Sequence, residues 1–355
     1  MENIVYTIDK DKPVLVTGAT GYVASWLIKR LLDEGLTVHA CVRDPFNKDK
    51  LLHLDQLQEA SVGTIKYFKA DLLDEGSFTR AMDGCSVVFH TASPFTSKIK
   101  DPQRDLVDPA IMGTRNVLVS ANSIDSIKRV VLTSSCAAIY GDNVDLLSIP
   151  NKTLSEVVWN TSSSLKHNPY SYSKTEAEKE AMKIHSSQSR WDLVVVNPSL
   201  VFGPGVNPFA TSESFNIMKQ FGSGAMKFGT PNLCIGAVDV RDLAEAHFRA
   251  AFTQNASGRY IISAHNTSFL QIARILRSKF KGYPILEKPI PKCILWLVGP
   301  FSNKTLTRKF ISRNIGYEFK ADSSKSIQDL GMTYRPLDES VVEMFRQLVD
   351  TNQIS

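Results

Sequence analysis

The sequence has few cysteines, and their arrangement indicates neither a metal site nor a disulfide framework. Cys41, Cys85, Cys136, Cys234 and Cys293 are odd in number and widely spaced, and no Cys-x-x-Cys pair occurs. The 7 histidines also lack the spacing of metal ligands. Because structural zinc sites and secreted disulfide folds need clustered cysteines, the sequence predicts no metal and no disulfide.

Long apolar runs are also missing. The N-terminal segment MENIVYTIDKDKP has no apolar core of the kind found in signal peptides. The most apolar run, CILWLVGPF at residues 293–301, is too short to span a bilayer. We therefore expect a cytoplasmic protein with no membrane partner.

Neither sign of charge is in large excess. The chain has 41 basic and 36 acidic residues and a formal net charge of +5. We expect the two signs to be mixed along its length rather than grouped in blocks. Nucleic-acid-binding proteins usually concentrate basic residues in one patch. We therefore expect no nucleic-acid partner but a small-molecule substrate, bound by a monomer or a homodimer.

Short segments rich in valine and isoleucine alternate with longer segments of helical periodicity through the first half of the chain. They predict six strands, each buried on both faces, at residues 13–17, 37–42, 64–70, 86–92, 129–135 and 192–198. Helices between successive strands imply right-handed crossovers. The fold class expected is α/β, with a doubly wound, Rossmann-type parallel sheet.

This alternation ends at Pro198. A stretch rich in proline and glycine, VFGPGVNPFATSES, is followed by helical periodicity and one strand-like segment at residues 258–263. We expect a Rossmann domain over residues 1–198, with a return strand near residues 234–265. A smaller, interleaved and mainly helical substrate domain is expected over residues 199–355.

A glycine-rich loop directly follows the first predicted strand. TGATGYVAS, residues 17–25, places Gly18, Gly21 and Ala24 in a Gly-x-x-Gly-x-x-Ala pattern. The glycines allow a sharp turn and a close approach to a pyrophosphate, whose charge then faces the N-terminus of the next helix. The loop is therefore predicted to bind a dinucleotide. Further contacts are predicted for Thr17, Tyr22 and Val23.

The end of the second strand bears on the choice between NAD and NADP. An acidic residue there binds the free 2′-hydroxyl of NAD, whereas an arginine favours the 2′-phosphate of NADP. Arg43 directly follows the apolar run and Lys48 and Lys50 come soon after, although Asp44 is adjacent. The excess of positive charge predicts NADP. Asp71, ending the third strand, is a candidate for the adenine edge or for a helix N-cap.

A tyrosine and a lysine four residues apart form a candidate proton-transfer pair. NPYSYSK, residues 168–174, places Tyr170 and Lys174 on one helix face, where the ammonium can lower the pKa of the phenol. The same spacing at Tyr6 and Lys10 precedes the sheet and is dismissed. Ser135 follows the fifth strand, where ligands bind in open α/β sheets, although serines there are often helix caps. The order of these motifs would gather them around a nicotinamide ring.

Together these segments resemble the extended short-chain dehydrogenases/reductases, in particular the group of dihydroflavonol, cinnamoyl-CoA and aldehyde reductases. The matching segments cover roughly the first 250 residues, and DLGMTYRPL at residues 329–337 is a weaker match. They are TGATGYVA, VRDP, VFHTASP, GTRNVL, TSS, YSYSK, NPSLVFGPG and VDVRDLAEAH.

The resemblance implies a role for each candidate catalytic residue. Tyr170 is the general acid that protonates the carbonyl oxygen as hydride arrives from the nicotinamide. Lys174 lowers the pKa of Tyr170 and holds the nicotinamide ribose, and Ser135 hydrogen-bonds the carbonyl oxygen. Asn116 supports a proton-supplying water, or only satisfies helix carbonyls. Further contacts with the cofactor are implied for Leu72, Thr91, Ala92, Ser93, Pro198 and Ser199.

The chain departs from individual members of that group. Dihydroflavonol reductases resemble one another in an asparagine five residues after the catalytic serine, where this chain has Tyr140, which argues against a flavonoid. The cinnamoyl-CoA reductase motif has Trp before the tyrosine and Cys and Gly within it. This chain has Pro169, Ser171 and Ser173 instead, which argues against CoA thioesters.

Two other functions share parts of the pattern. Sugar-nucleotide epimerases and dehydratases have the same sheet and Tyr-Lys pair. Dehydratases, however, resemble one another in a Thr-Asp-Glu where this chain has Ser135, Cys136 and Ala137, and epimerases usually retain NAD. Cys136 is expected to be a small buried neighbour rather than a nucleophile. A catalytically silent nucleotide sensor commonly lacks the Tyr-Lys pair, which this chain keeps.

The expected function is an NADPH-dependent reductase of a ketone or aldehyde that also works in reverse as an alcohol dehydrogenase. Apolar and aromatic residues beyond residue 199 suggest a medium-sized apolar or aryl substrate, unless most of them are core. These residues are Phe202, Phe209, Phe215, Met218, Phe221 and Met226.

Overall fold

The computed structural model describes residues 6–93, 99–226, 228–302 and 306–354 and contains a large parallel sheet and a small mixed one. The large sheet has the order β3-β2-β1-β4-β5-β6-β9, and the small sheet has the order β10-β8-β7. The predicted α/β class and Rossmann-type sheet are confirmed. The strands are β1 (Val14–Thr17), β2 (Thr37–Val42), β3 (Thr64–Lys69), β4 (Val87–His90), β5 (Arg129–Thr133), β6 (Asp192–Pro198), β7 (Leu200–Phe202), β8 (Cys234–Asp239), β9 (Gly258–Ile262) and β10 (His265–Ser268).

Helices cover both faces of the large sheet. Along β1, Val14 and Val16 face one apolar cluster with α1 and α7, and Leu15 faces a second with α4 and α5. This alternation follows from the two-residue period of a strand. The helices are α1 (Tyr22–Asp33), α2 (Lys48–Glu59), α3 (Thr79–Met82), α4 (Asp108–Asn122), α5 (Pro169–Ser186), α6 (Glu213–Gly222), α7 (Val240–Phe252), α8 (Phe269–Lys279), α9 (Lys292–Ser302), α10 (Arg308–Asn314), α11 (Ser324–Leu330) and α12 (Leu337–Asp350).

The strand β3 differs from the prediction that it is buried on both faces. Thr64, Lys66 and Lys69 are exposed, whereas Ile65 and Tyr67 are half-buried against the core. The reason is position, because β3 lies at the edge of the sheet and pairs only with β2. Charged side chains on such an edge also oppose pairing with a second chain.

The second half of the chain contributes to both sheets. β7 pairs with β8 in parallel and β10 pairs with β8 antiparallel, whereas β9 returns to the large sheet beside β6. A boundary at residue 198 stays a prediction. Within the described part of the chain, no helix is long and apolar enough to cross a membrane.

Most of the apolar residues expected near a substrate belong instead to the core around α6, α8 and α12. Four of them are at most 1% exposed, and three of these lie at three-residue intervals on the inward face of α6. Met226 packs on the same cluster, and only Phe209 is largely exposed. This set therefore gives no information about the substrate. The four are Phe202, Phe215, Met218 and Phe221.

A buried ion pair ties α5 to the far edge of the large sheet. Oε1 of Glu178 lies 2.6 Å from Nε of Arg259 in β9, and neither side chain is more than 6% exposed. The other carboxylate oxygen accepts hydrogen bonds from Ser134 Oγ and, at 2.8 Å, from Asn197 Nδ2. Because buried charges are tolerated only with several partners, this network fixes where α5 sits.

We predict that Glu178→Ala lowers the free energy of unfolding by about 3–5 kcal/mol, because it leaves Arg259 buried without its carboxylate. Chemical denaturation measures the loss. The control is Glu180→Ala on the same helix, which removes a pair with the exposed Arg115 and should cost less than about 1 kcal/mol. Equal losses in the two variants would contradict this reading of the network.

Candidate active site

The site lies at the carboxyl edge of the large sheet, where the loops after several strands meet α4 and α5. Leu72 follows β3, Ala92 and Ser93 follow β4, and Lys174 projects from α5, and all four line one cleft. This edge is where open parallel sheets bind ligands. Residues from motifs that are far apart in the sequence are thus brought together around one cleft.

The glycine loop has the geometry needed for a close backbone approach. Gly18 adopts φ +63°, and a Cβ atom there would lie 3.0 Å from Cβ of Ala92. At Gly21 a Cβ atom would lie 3.1 Å from the carbonyl oxygen of Gly18. α1 begins at Tyr22 without a side-chain cap, so its first N–H groups remain available to an anion. The loop therefore fits the pyrophosphate of a dinucleotide.

Hydrogen bonds join this loop to the end of β4. The Thr17 hydroxyl accepts from the backbone N–H of Ala92 at 3.0 Å and is hydrogen-bonded to Nδ1 of His90, also at 3.0 Å. Thr91 Oγ1 donates to the Thr17 carbonyl at 2.5 Å. Burial, with a smaller effect of Lys174, lowers the pKa of His90 to about 3. His90 is therefore uncharged at neutral pH, and its hydrogen bond with Thr17 stabilises the cleft. The sequence did not indicate this role of His90.

Two further predicted loop contacts point away from the cleft. The Tyr22 hydroxyl donates to the Gly203 carbonyl at 2.6 Å, and its ring packs edge-on against Phe215. The side chain of Val23 packs between two core clusters. If these residues contact a cofactor, they do so through their backbone N–H groups.

Two adjacent charged residues, Arg43 and Asp44, follow β2 and differ in their contacts. Asp44 Oδ1 accepts from the N–H of Phe46 at 3.0 Å, which closes a local turn. Arg43 and Lys50 are exposed, and no hydrogen bond or ion pair among the described residues involves either side chain. Arg43 and Lys50 as cofactor contacts therefore stay predictions, while Asp44 shapes the turn.

The loop after β3 is held by Asn116. Its amide nitrogen donates to the carbonyls of Leu72, at 3.2 Å, and Asp74, at 2.5 Å, and its Oδ1 accepts from Gly76 N–H at 3.0 Å. Both amide hydrogens are used, so a proton relay through Asn116 stays a prediction that its contacts do not support. Asp71 Oδ1 accepts from Leu73 N–H at 2.9 Å, as a turn cap does, and its adenine contact also stays a prediction.

Ser135 caps a short helix and also lies within hydrogen-bonding reach of Tyr170. Its Oγ accepts from the Ala137 N–H at 3.1 Å, so it caps the short 3₁₀ helix Cys136–Ala138. The single hydroxyl proton remains free to donate. A hydrogen bond with Ser135 lowers the pKa of Tyr170. The predicted cap and the predicted ligand-facing hydroxyl are therefore compatible in one residue.

Tyr170 and Lys174 occupy the first turns of α5 on the same face. The Lys174 Nζ lies 5.9 Å from the centre of the Tyr170 ring and donates to Ser93 Oγ at 3.1 Å. Desolvation lowers the pKa of Lys174 to about 8, although Glu178 opposes this. Desolvation and then the Glu213 carboxylate raise the pKa of Tyr170, which is 50% exposed. The protein's own groups therefore keep Tyr170 protonated.

The start of α5 is set by contacts that no sequence motif indicated. Asn168 has φ +51°, in the left-handed region that asparagine tolerates. Its Nδ2 donates to the Gly141 carbonyl at 2.8 Å and to Asp142 Oδ1 at 3.0 Å. Asp142, fully buried, also pairs with Arg313 of α10 at 2.5 Å. These contacts hold Tyr170, two residues further on.

The remaining predicted residues lie at the same edge or next to it. Pro198 ends β6 and is buried, and Ser199 N–H donates to the Ile262 carbonyl at 3.1 Å. Burial raises the pKa of the Cys136 thiol to about 12, as expected for a small buried neighbour of Ser135. Among the residues described, no group of His, Cys, Asp or Glu could hold a metal ion.

Comparison with protein-family models matches residues 14–262 to the NAD dependent epimerase/dehydratase family. The chain belongs to this family. The match runs from β1 to the end of β9 and so includes every strand of the large sheet.

Reductases are among the curated proteins that this chain resembles. The chain is 38% identical over 338 residues to cinnamoyl-CoA reductase CAD2 of Medicago truncatula, covering 94% of this chain and 95% of that protein. It is 37% identical over 346 residues to tetraketide alpha-pyrone reductase 1 of Arabidopsis thaliana, covering 96% and 97%. A solved structure of Gre2 from Candida albicans in complex with NADPH has a TM-score of 0.74 at 27% identity, covering 96% of this chain and 99% of that one.

The chain is an extended short-chain dehydrogenase/reductase and an NAD(P)-dependent oxidoreductase acting on carbonyl-type substrates. The predicted family group, enzyme class and dinucleotide cofactor are confirmed, and the predicted NADP agrees with the NADPH of the Gre2 complex. The individual site residues, the cytoplasmic location and the monomer or homodimer stay predictions.

We predict that Arg43→Ala raises the Michaelis constant for NADPH about ten-fold or more, because it removes a charge-assisted contact with the 2′-phosphate. The constant for NADH should change little, because NADH lacks that phosphate. Steady-state kinetics with both cofactors measure the difference. Arg80→Ala, also at an exposed arginine, is the matched control, and equal effects on NADPH and NADH would refute the assignment.

Proposed function

We propose that this protein is an NADPH-dependent reductase of a ketone or aldehyde, with Tyr170 as the general acid. The carbonyl carbon receives a hydride and its oxygen receives the phenolic proton. The same groups work in reverse on the alcohol, with Tyr170 as the base. The placement of Ser135, Tyr170 and Lys174 together beside the cleft carries this proposal.

The chemistry follows from the charge that develops on the carbonyl oxygen. Ser135 donates its free proton to that oxygen, and Tyr170, kept protonated by its surroundings, supplies the proton that neutralises it. Lys174, whose Nζ contacts Ser93, has further N–H donors for the ribose hydroxyls. NADPH supplies the hydride when it is bound against these residues.

Residues for the cofactor come from four successive loops. Gly18 and Gly21 admit the pyrophosphate at the start of α1, and Arg43 meets the 2′-phosphate. The loops containing Leu72 and Ala92 line the cleft between these groups and Lys174. The cofactor would therefore lie across the carboxyl edge of the sheet, from β2 towards β5.

Sugar-nucleotide epimerisation or dehydration is the second candidate, because the matched family model is named for these reactions. The residues after Ser135 weigh against dehydration. The raised pKa of Cys136 leaves no thiolate base, and Ala137 has no ionisable group. Elimination needs both an acid and a base at the sugar, so reduction is the function that the site supports best.

The test is NADPH oxidation with a panel of carbonyl compounds, comparing wild type with Tyr170→Phe. The panel contains aryl ketones, aliphatic aldehydes, diketones, a dihydroflavonol, cinnamoyl-CoA and a tetraketide pyrone, the last two because of the names of the relatives. Loss of the phenolic proton should reduce kcat at least about hundred-fold and leave NADPH affinity unchanged. Tyr172→Phe on the same helix is the control. Full activity of Tyr170→Phe would contradict the proposed role of Tyr170 as the general acid.

No turnover on this panel, with NADPH still bound, would argue against carbonyl reduction. Turnover of a UDP-sugar would then favour the second candidate. No turnover of either class would favour a nucleotide sensor.

We predict that Glu213→Gln shifts the pH profile of alcohol oxidation to lower pH. The Glu213 carboxylate raises the pKa of Tyr170, so its removal lets the phenolate form at lower pH, and oxidation requires that phenolate. The half-maximal pH of kcat measures the shift. Glu176→Gln, which removes the half-buried carboxylate paired with Lys179, is the control, and an unchanged profile in Glu213→Gln would show that this carboxylate does not act on Tyr170.

A further inference from the structure

Charge is distributed along the chain less evenly than its totals indicate. Residues 274–313 contain 10 basic residues and 1 acidic residue, a formal charge of +9. The other residues contain 31 basic and 35 acidic residues, a formal charge of −4. The expectation of charges mixed along the whole chain is therefore wrong for residues 274–313, here termed the basic segment, which runs from α8 through α9 to α10.

Most basic side chains of this segment are exposed and free of acidic partners. Of the nine that the structure describes, seven are exposed, and no ion pair between described residues involves any of the seven. Their charge is therefore available to an external partner. The seven are Arg274, Lys279, Lys281, Lys288, Lys292, Arg308 and Lys309.

The helix α9, at the centre of the basic segment, presents an apolar face to solvent. Ile294, Leu297, Val298 and Phe301 are 50%, 57%, 54% and 83% exposed. Their spacing of three, one and three residues forms one stripe along a helix. On the opposite side, Leu295 is buried against the α10 region. We term these four exposed residues the apolar stripe. A helix at a protein surface normally has polar residues on its water-facing side.

A tryptophan and an arginine lie on the side of α9 that faces away from the apolar stripe, because Trp296 is turned roughly 150° from the centre of the stripe on an α-helix. Trp296 is 38% exposed, and the guanidinium carbon of Arg308 lies 4.6 Å from the centre of its ring. With the apolar stripe facing acyl chains, this pair would face the charged headgroups and water.

We propose that α9 lies in the plane of an anionic lipid bilayer, with the apolar stripe at the acyl boundary and the basic segment on the headgroups. The helix has 11 residues, about half of what a bilayer span requires. An in-plane helix needs no span. The expectation of no membrane partner, which came from the lack of a span, therefore does not apply to this mode of binding.

A second copy of the chain suits this surface less well. A symmetric dimer places the same patch of each copy against the other. Two segments of +9 would then face each other, and like charges at an interface oppose association. Anionic lipid headgroups supply the opposite charge, and the acyl boundary beneath them accepts the apolar stripe.

The proposed membrane surface is connected to the active site. Arg313 of α10 pairs with Asp142 at 2.5 Å and with Asp145 at 2.8 Å. Asp142 also accepts from Asn168, two residues before Tyr170. A bilayer bound at α9 would therefore hold the catalytic helix in a set orientation and could present an apolar carbonyl compound to it.

The experiment is co-sedimentation of the full chain with vesicles of phosphatidylcholine alone or with about one third phosphatidylserine. Binding is expected on the mixed vesicles, with a bound fraction that falls as salt rises. Brominated acyl chains should quench the added tryptophan of Phe301→Trp, which lies in the apolar stripe, when the protein binds.

Two double variants separate the apolar and electrostatic contributions. Leu297→Ser with Phe301→Ser should weaken binding at least ten-fold, and so should Lys281→Glu with Lys288→Glu, since each basic residue contributes roughly five-fold near an anionic surface. The controls are Val62→Ser with Val157→Ser, at residues 80% and 85% exposed, and Lys66→Glu with Lys183→Glu. Both controls should bind like wild type. NADPH affinity and melting temperature should match across all variants.

Three results would overturn the proposal. One is binding to mixed vesicles that does not differ between the patch variants and their controls. Another is a dimer in sedimentation velocity that only the Leu297→Ser and Phe301→Ser variant dissociates, which would assign the stripe to contact between copies. The last is equal binding of wild type and that serine variant to heparin, with no vesicle binding, which would leave a plain polyanion site.

Discussion

The buried carboxylate of Glu178 is the contact on which the active-site geometry depends. One oxygen meets Arg259 of β9, and the other accepts from Ser134, after β5, and from Asn197 in β6. A single side chain therefore joins α5 to three neighbouring strands. It also opposes the loss of charge on Lys174, one helical turn earlier. Structure and electrostatics are coupled here because a buried charge must be neutralised by whatever surrounds it.

The two ends of the cleft work by different means. At the cofactor end, the geometry of the backbone determines whether a pyrophosphate fits, since Gly18 must lie against Ala92 and α1 must begin with uncapped N–H groups. At the chemical end, side chains are decisive, and their properties come from their surroundings. Ser135 keeps one proton free because its oxygen already serves as a cap. The pKa of Tyr170 is set by desolvation, by the Glu213 carboxylate and by Ser135.

The basic segment gives the molecule a second functional face. The +9 segment and the acidic remainder of the chain lie on one polypeptide, so an anionic partner is attracted to the segment more than to the rest of the chain. The link from Arg313 through Asp142 to the start of α5 joins this face to the catalytic helix. Catalysis and surface binding therefore share a structural element without sharing residues that contact the substrate.

The sequence alone determined the parallel α/β sheet, its six first strands, the glycine loop and the order of Ser135, Tyr170 and Lys174, because strand and helix periodicity and turn chemistry are local properties. It was wrong about the two buried faces of β3, because the position of a strand in a sheet depends on which neighbours pair with it. It left open whether the aromatic residues of α6 lie in a pocket or in the core, and the structure places them in the core.

Only the tertiary structure decided how Tyr170 is held and how its pKa is set. Asp142 and Arg313 are separated by 171 positions in the chain. Glu178 and Arg259 lie on different elements. No local sequence pattern can predict either ion pair. Likewise, an apolar run such as that of α9 predicts, from the sequence alone, a helix buried in the core. Folding alone shows which of its sides faces the protein, because burial is a property of the whole packed chain and not of the segment.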